Sequence, residues 1–281
     1  MFADFYKIIE FFKNSNFDDP LYETLRVFDV LSNKSISRLD LSTVLKNEEH
    51  ILSLVNQRSN NVPVEYILGM GSFYGNLFHC EPGALIPRDE TELLVNKALD
   101  FIKGFTEKEY VNVVDMGTGC GSIAISIALN DVRTNVIASD LNESTIQVAK
   151  KNVAKFQLED RVKLLVGDLF APFEGQGYNG NIDIVVCNPP YIPTTSLNKM
   201  ESEIIDYEPK EAFDGGAFGI NFYKRLIKDS LPHLKKGGIL IFEIGQGQEK
   251  LVKRLFKKAE DYQNIQFHYD GEHVRVISVM K

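Results

Sequence analysis

The sequence predicts an α/β protein: a Rossmann-like, seven-stranded, mostly parallel sheet with an antiparallel C-terminal hairpin, preceded by a small all-α domain. Three observations predict it. From Arg88 onward, short apolar β-rich runs alternate with amphipathic stretches, the pattern of parallel strands covered by helices on both faces. The last two β-rich runs are separated only by a turn at Asp270-Gly271, a hairpin signal. Residues 1–68 instead carry apolar residues at helical spacing with no strand between them.

In the first segment Leu21, Leu25, Phe28 and Leu31, then Leu41, Val44, Leu45, Leu52 and Val55, mark helical faces. Asp18 or Asp19 before Pro20 offers an N-cap with proline in the first turn. Gly69, Gly71, Gly75, Pro82 and Gly83 then punctuate short runs holding Phe73, Tyr74, Leu77 and Phe78, which reads as a β-hairpin linker over 69–87. Strands are expected at 111–114, 135–138, 162–166, 182–187, 239–244, 265–269 and 274–280. Helices are expected at 122–129, 143–156 and 248–259. The organisation expected is thus a helical domain at 1–68, the linker at 69–87 and an α/β domain at 88–281.

Bulk composition narrows the function classes. The 281 residues are 44% hydrophobic and 25% charged, as in a globular protein with a real core. No apolar run approaches the ~20 residues of a membrane span. The first residues are interrupted by Asp4, Lys7 and Glu10, unlike a signal peptide. Net charge is −8 with no basic block, a poor basis for lying along duplex DNA, where Lys and Arg must neutralise phosphates. Cys80, Cys120 and Cys187 are odd in number and lack metal-ligand spacing, so they read as reduced thiols of a cytoplasmic protein. The five histidines are dispersed, and no metal site is expected. Nothing demands a dimer, so a monomer is expected.

The first strand runs into Asp115-Met116-Gly117-Thr118-Gly119-Cys120-Gly121, with a helix following. Glycines at alternate positions let backbone approach a ligand closely, and the place is the usual ligand crevice of open α/β sheets. A dinucleotide loop spaces its last glycine three residues on; here the spacing is two and two. That favours S-adenosylmethionine, which has no pyrophosphate, over a dinucleotide. Asp115 could then anchor its cationic amino acid end, directly or through water. The second strand ends at Asp140, placed to accept from ribose hydroxyls, unless it and Asn142 only cap the next helix. The third ends at Gly167-Asp168-Leu169-Phe170, where Asp168 could accept from an adenine amino group and an apolar neighbour cover the ring, or a plain surface turn could stand.

The fourth strand runs into Asn188-Pro189-Pro190-Tyr191. Two prolines remove two donors and fix two φ angles, giving a rigid turn with outward carbonyls. An NH2 held by the Asn188 side-chain oxygen and the Pro189 carbonyl would be aimed at a methyl donor, and the same acceptors would favour the positive charge that grows on it. Tyr191 would stack on the planar group. The chemistry expected is methylation of a planar amide or amine nitrogen.

These residues, together with further blocks, resemble the bacterial release-factor glutamine methyltransferases. The blocks are Pro63-Val64-Glu65-Tyr66-Ile67-Leu68-Gly69, Leu85-Ile86-Pro87-Arg88, Tyr207-Glu208-Pro209, Asp214-Gly215-Gly216, and Gly219 with Phe222-Tyr223. The resemblance implies a class I S-adenosylmethionine-dependent methyltransferase domain. The resemblance implies that the cofactor contacts Gly117, Thr118, Gly119, Cys120, Gly121, Asp140 and Asn188, and the strand-end reading adds Asp115, Leu141, Asp168 and Leu169 to the expected contacts. Its substrate, the glutamine of the Gly-Gly-Gln loop of peptide chain release factors, would be held by Asn188, Pro189, Pro190 and Tyr191 with Arg88 and Glu90 nearby. The helical domain would dock the release factor. The acidic, glycine-rich 209–221 segment reads either as a plain solvated loop or as a lid that orders around the release-factor loop. Two departures stand out. Leu169 replaces an aromatic residue, so adenine stacking would be weaker or come from Phe170. Asp89 replaces the second proline of the family's Pro-Arg-Pro-Glu-Thr-Glu, which affects the local turn. Adenine-methylating DNA enzymes share the tetrapeptide but not the other blocks, and would need a basic target-reading region.

Overall fold

The structure, a computed structural model, describes residues 2–15, 17–32 and 48–281, and among these described residues four helices come first. They are α1 (Phe2–Asn14), α2 (Pro20–Ser32), α3 (Glu48–Ser59) and α4 (Val64–Leu68). The backbone amide of Tyr22 donates to Asp19 Oδ1 at 2.9 Å, so Asp19 rather than Asp18 caps α2. Ile8, Phe12, Val27, Leu54, Val55 and Val64 form a small core of their own. The helical spacing is right and Val55 is buried as expected, but part of the expected face is not. Leu21, Leu25 and Leu52 are about half exposed, while α2 turns Glu23 and Thr24 inward. The reason is an ion pair: Arg58, buried on α3, bonds Glu23 at 2.7 Å, and the Thr24 hydroxyl is satisfied by the Pro20 carbonyl. Leu41, Val44 and Leu45 lie outside the described residues.

The linker forms the expected hairpin, β1 (Met70–Phe73) and β2 (Asn76–His79), around Tyr74 and Gly75, both at positive φ. That pair of left-handed residues matches the turn that suits twisted strands.

The remaining strands are β3 (Val111–Met116), β4 (Thr134–Asp140), β5 (Val162–Val166), β6 (Ile182–Cys187), β7 (Leu234–Glu243), β8 (Gln263–Asp270) and β9 (His273–Met280). They lie in the order β5-β4-β3-β6-β7-β9-β8. The first five are parallel; β9 is antiparallel to β7 and to β8. The sheet and its antiparallel edge are as expected. Only β7 starts well before its expected 239, because Gly237 and Gly238 sit in a register shift against β6 instead of ending the strand. Helices α5 (Glu92–Gly104), α6 (Ser122–Asn130) and α7 (Glu143–Lys155) cover one face. The short α8 (Ser202–Ile205) is followed by α9 (Asn221–Ser230) and α10 (Glu249–Phe256), which cover the other. The chain winds outward from β3 to β5 and returns to β6, so the crevice at the C-terminal ends of β3 and β6 is a topological switch point. Among the described residues no helix is long and apolar enough to cross a membrane.

Several side chains hold the helical part and the hairpin against the rest of the fold, among them Asn152, Glu203 and Tyr207. Asn152 of α7, fully buried, accepts from the His79 amide and donates to the carbonyls of His79 and Cys120. One side chain therefore ties the hairpin to the glycine loop. Glu203 of α8 receives both Arg26 and Arg58, at 2.8 and 2.6 Å, and Tyr207 donates to the Asn60 carbonyl.

Candidate active site

The strand ends meet in one cleft. Of the residues singled out in the sequence, Gly117, Thr118, Gly119, Cys120, Asp140, Leu141, Asp168, Leu169, Asn188, Pro190 and Arg88 line it. Leu85 and Pro87 from the end of the linker close one side, and Pro209, Glu211, Ala212 and Phe222 close another. Asp115, Gly121, Pro189, Tyr191 and Glu90 are not part of this lining. Glu90 lines a second, neighbouring cleft, to which Arg88 also contributes.

The glycine loop is built as its spacing predicts. Gly117, Gly119 and Gly121 all have positive φ, and a Cβ at Gly117 would project into open space. Such a backbone leaves room for a ligand to lie directly on it. Asp115 is buried beneath the loop, accepting from the Thr118 hydroxyl at 2.6 Å and the Ala124 amide at 3.1 Å through one oxygen. Its other oxygen has no partner. Burial pushes this carboxyl up to about 7, against the pull of those two donors. An unpaired buried oxygen below an open glycine cradle fits a ligand carrying a cation, the amino acid end of S-adenosylmethionine included.

Asp140 takes the Gly119 amide on one oxygen at 3.0 Å and the Asn142 amide on the other at 3.3 Å. Burial raises its pKa. Each oxygen keeps a further lone pair for a diol. Asn142 sits at the N-cap position of α7, but its side chain makes no capping bond and it lines the cleft. Asp168 is exposed and paired with Arg225 at 2.7 Å. Leu169, held at φ +50°, turns into the cleft. Phe170 turns away and stacks on His233 at 4.7 Å, so Leu169 alone of that pair can cover a ring there.

The tetrapeptide is fixed from behind. Tyr191 donates to Glu243 at 3.2 Å, its carbonyl receives Gln248 at 2.9 Å, and Arg275 lies over its ring at 5.9 Å. Burial, with Glu243 adding to it, pushes the Tyr191 hydroxyl up to about 12, so it stays a donor. Asn188 donates through Nδ2 to the Thr91 hydroxyl at 3.0 Å. Beside it, the 209–219 segment pairs with the chain that follows the tetrapeptide: Ile192 donates to Phe213, and Gly215 donates to Ile192. Close approach requires glycine there, since a Cβ at Gly219 would stand 2.1 Å from the Tyr191 carbonyl oxygen. Glu208 is buried and receives both Arg88 and the Ile86 amide, which joins the linker's end to this segment.

Thr91, Glu243, Gln248 and Arg275 were not singled out by the sequence, yet they hold the tetrapeptide. The available signal was Glu243: a carboxylate closing an apolar strand is expensive to bury unless something needs it.

Comparison with known proteins gives the family and the fold. Residues 98–220 match the methyltransferase small domain. The release factor glutamine methyltransferase of Bacillus cereus is 35% identical over 80% of this chain and 78% of its own length. That of Clostridium acetobutylicum is 39% identical over 72% of this chain and 70% of its own. Among solved structures, the N-terminal domain of human METTL16 in complex with SAH shares the fold, with a TM-score of 0.51 and 19% identity, covering 70% of this chain and 72% of that one.

Proposed function

The chain belongs to the release factor glutamine methyltransferase family, and from that membership we propose that it methylates the side-chain amide nitrogen (N5) of the glutamine in the Gly-Gly-Gln motif of a peptide chain release factor. S-adenosylmethionine supplies the methyl group as an electrophile on a positively charged sulfur. The observation that carries the proposal is the convergence, in one cleft, of the glycine loop, Asp140, Asn188 and Pro190.

The cofactor's end of the cleft is assigned to Gly117, Thr118, Gly119 and Cys120, with Gly121 completing the loop behind them, Asp115 beneath the amino acid end and Asp140 and Leu141 at the ribose. Leu169 covers the base, and Asp168 reaches its amino group once it parts from Arg225. At the other end, the Asn188 side-chain oxygen and the Pro189 carbonyl accept the two N–H groups of the glutamine amide. Holding both aims the nitrogen lone pair at the methyl carbon. Bound there, S-adenosylmethionine would supply the methyl carbon that this lone pair meets, and the methylated nitrogen would release one proton to solvent. The same two acceptors stabilise the positive charge on nitrogen during transfer. Tyr191 forms the floor of this turn, and Arg88 and Glu90 face the incoming polypeptide. The helical segment 1–68 docks the release factor, the segment from Pro209 closes over its loop, and the enzyme works as a monomer in the cytoplasm.

The proposal is tested by incubating the protein with methyl-labelled S-adenosylmethionine and a release factor, its Gln→Ala loop variant, or DNA. Label on the intact release factor alone is expected; label on DNA and not on the release factor would overturn the substrate.

Two further outcomes are expected. Because Asp115 titrates near 7 and its ionised form attracts a cationic ligand, cofactor affinity should rise several-fold between pH 6 and 7.5 and then level off. Calorimetry on the wild type and on Asp115→Asn checks this; the variant should show a flat profile over that window. Gly219→Ala should displace the Tyr191 carbonyl. It should lower kcat about tenfold or more, as roughly 1.4 kcal/mol of misplacement does, while cofactor Kd moves little. A wild-type kcat in that variant would show that the 209–219 segment does not hold the turn.

A further inference from the structure

A side-chain amide can present either its oxygen or its NH2 to a ligand, and for Asn188 the choice decides whether a substrate NH2 is attracted or repelled. The structure contains a chain of groups that makes this choice. Arg275 donates to Glu243 Oε1 at 2.8 Å, and the Tyr191 hydroxyl donates to the same oxygen. Glu243 Oε2 accepts the Thr91 hydroxyl at 2.8 Å, and that hydroxyl in turn accepts Asn188 Nδ2 at 3.0 Å. Glu243 is 1% exposed and Thr91 3%, so water does not compete.

We infer that the buried relay Arg275–Glu243–Thr91 sets the orientation of the Asn188 amide, so that its oxygen faces the acceptor nitrogen; the inference rests on the proposed glutamine methylation. Proton accounting supports it. A carboxylate beside Arg275 can only accept, so the single Thr91 proton must point at Glu243. The Thr91 oxygen then has only lone pairs to offer Asn188. Only the NH2 end of Asn188 can satisfy them, which leaves Oδ1 as the end offered to the cleft. Glu243 thus governs both polar side chains of the tetrapeptide: Tyr191 directly and Asn188 through Thr91. These are positioning residues, since none of the three transfers a proton to substrate or touches the reacting atoms.

A merely structural role for these residues would not give the response expected of Glu243→Gln. In Glu243→Gln the new amide must keep its oxygen on the side where Arg275 and Tyr191 donate, because Arg275 has no acceptor to offer. Its NH2 therefore faces Thr91. The Thr91 hydroxyl must reverse and donate to Asn188, whose amide then turns over and shows NH2 to the substrate NH2. Glu243→Gln should lower kcat about 100-fold. Thr91→Val, which only releases Asn188, should lower it about tenfold, and Thr91→Ser should restore most of the turnover. Adding Thr91→Val to Glu243→Gln removes the forced reversal, so the double variant should be faster than Glu243→Gln alone. Cofactor Kd, measured by calorimetry to confirm folding and to count active sites, should stay within about threefold in all four.

Orientation is read independently of turnover by nuclear Overhauser contacts between the Asn188 side-chain NH2 protons and the Thr91 methyl group. They are expected in the wild type and lost in Glu243→Gln. A double variant slower than Glu243→Gln, a Glu243→Gln enzyme with wild-type kcat, or no such contact in the wild type would each overturn the inference. A wild type that shows the contact but does not label a release factor would instead sink the substrate assignment and leave the orientation standing.

Discussion

Asn188→Ala is expected to lower kcat on a release factor by about 100- to 1,000-fold, the cost of deleting one pre-aimed group that stabilises transition-state charge. The same change should weaken cofactor binding by less than tenfold. On the proposed function, Asn188 would meet the amide nitrogen most strongly as that nitrogen becomes positive, so its loss would fall on the chemical step. The cofactor keeps the glycine loop, Asp140 and Leu169, which are on other strand ends. Single-turnover rates and calorimetric Kd measured on the same preparation separate the two. Equal losses in both would mean that Asn188 serves the cofactor and not the amide.

Arg58→Met is expected to be the most destabilising single change. Arg58 is 6% exposed and bonds Glu23 through two nitrogens and Glu203 through one. Removing it strands the Glu23 carboxylate in the small helical core, at a cost of about 3–5 kcal/mol for breaking a buried pair. Glu203 keeps Arg26 and is held less firmly, so the segment after the tetrapeptide should also loosen, raising KM for the release factor. Urea titration should show the midpoint falling, and adding Glu23→Gln should recover much of the loss by removing the stranded charge. A midpoint unchanged in Arg58→Met would mean the pair is exposed to water in solution.

The sheet was legible because parallel strands are apolar on both faces. The runs 162–166 and 182–187 coincide with β5 and β6 without adjustment. The glycine loop was legible because only positive φ explains alternate glycines. The face of α2 was not, because hydrophobic periodicity cannot anticipate that Arg58, over thirty residues away, draws Glu23 inside and leaves Leu21 and Leu25 outside. Likewise the strand ends of the cleft could be placed one by one from their motifs. The groups behind the tetrapeptide could not: Thr91 and Glu243 are 152 residues apart, and each is an ordinary residue in its own stretch. Local chemistry marks what touches a ligand; the packing that aims those groups is non-local and becomes visible only in the fold. On the proposed function, the tetrapeptide speaks for the nitrogen chemistry, and the resemblance read from the sequence rests on the blocks around it, from Pro63 to Arg88 and from Tyr207 to Tyr223.

The central claim is that the methyl group is transferred to a glutamine side chain in a release factor loop, held by the Asn188 turn. Peptide mass spectrometry of a release factor after reaction tests it most directly. The account predicts one added methyl group on the glutamine of the Gly-Gly-Gln peptide, present with the wild type and lost with Asn188→Ala. A methyl group mapped to any other residue, or full methylation of that glutamine by Asn188→Ala, would contradict it.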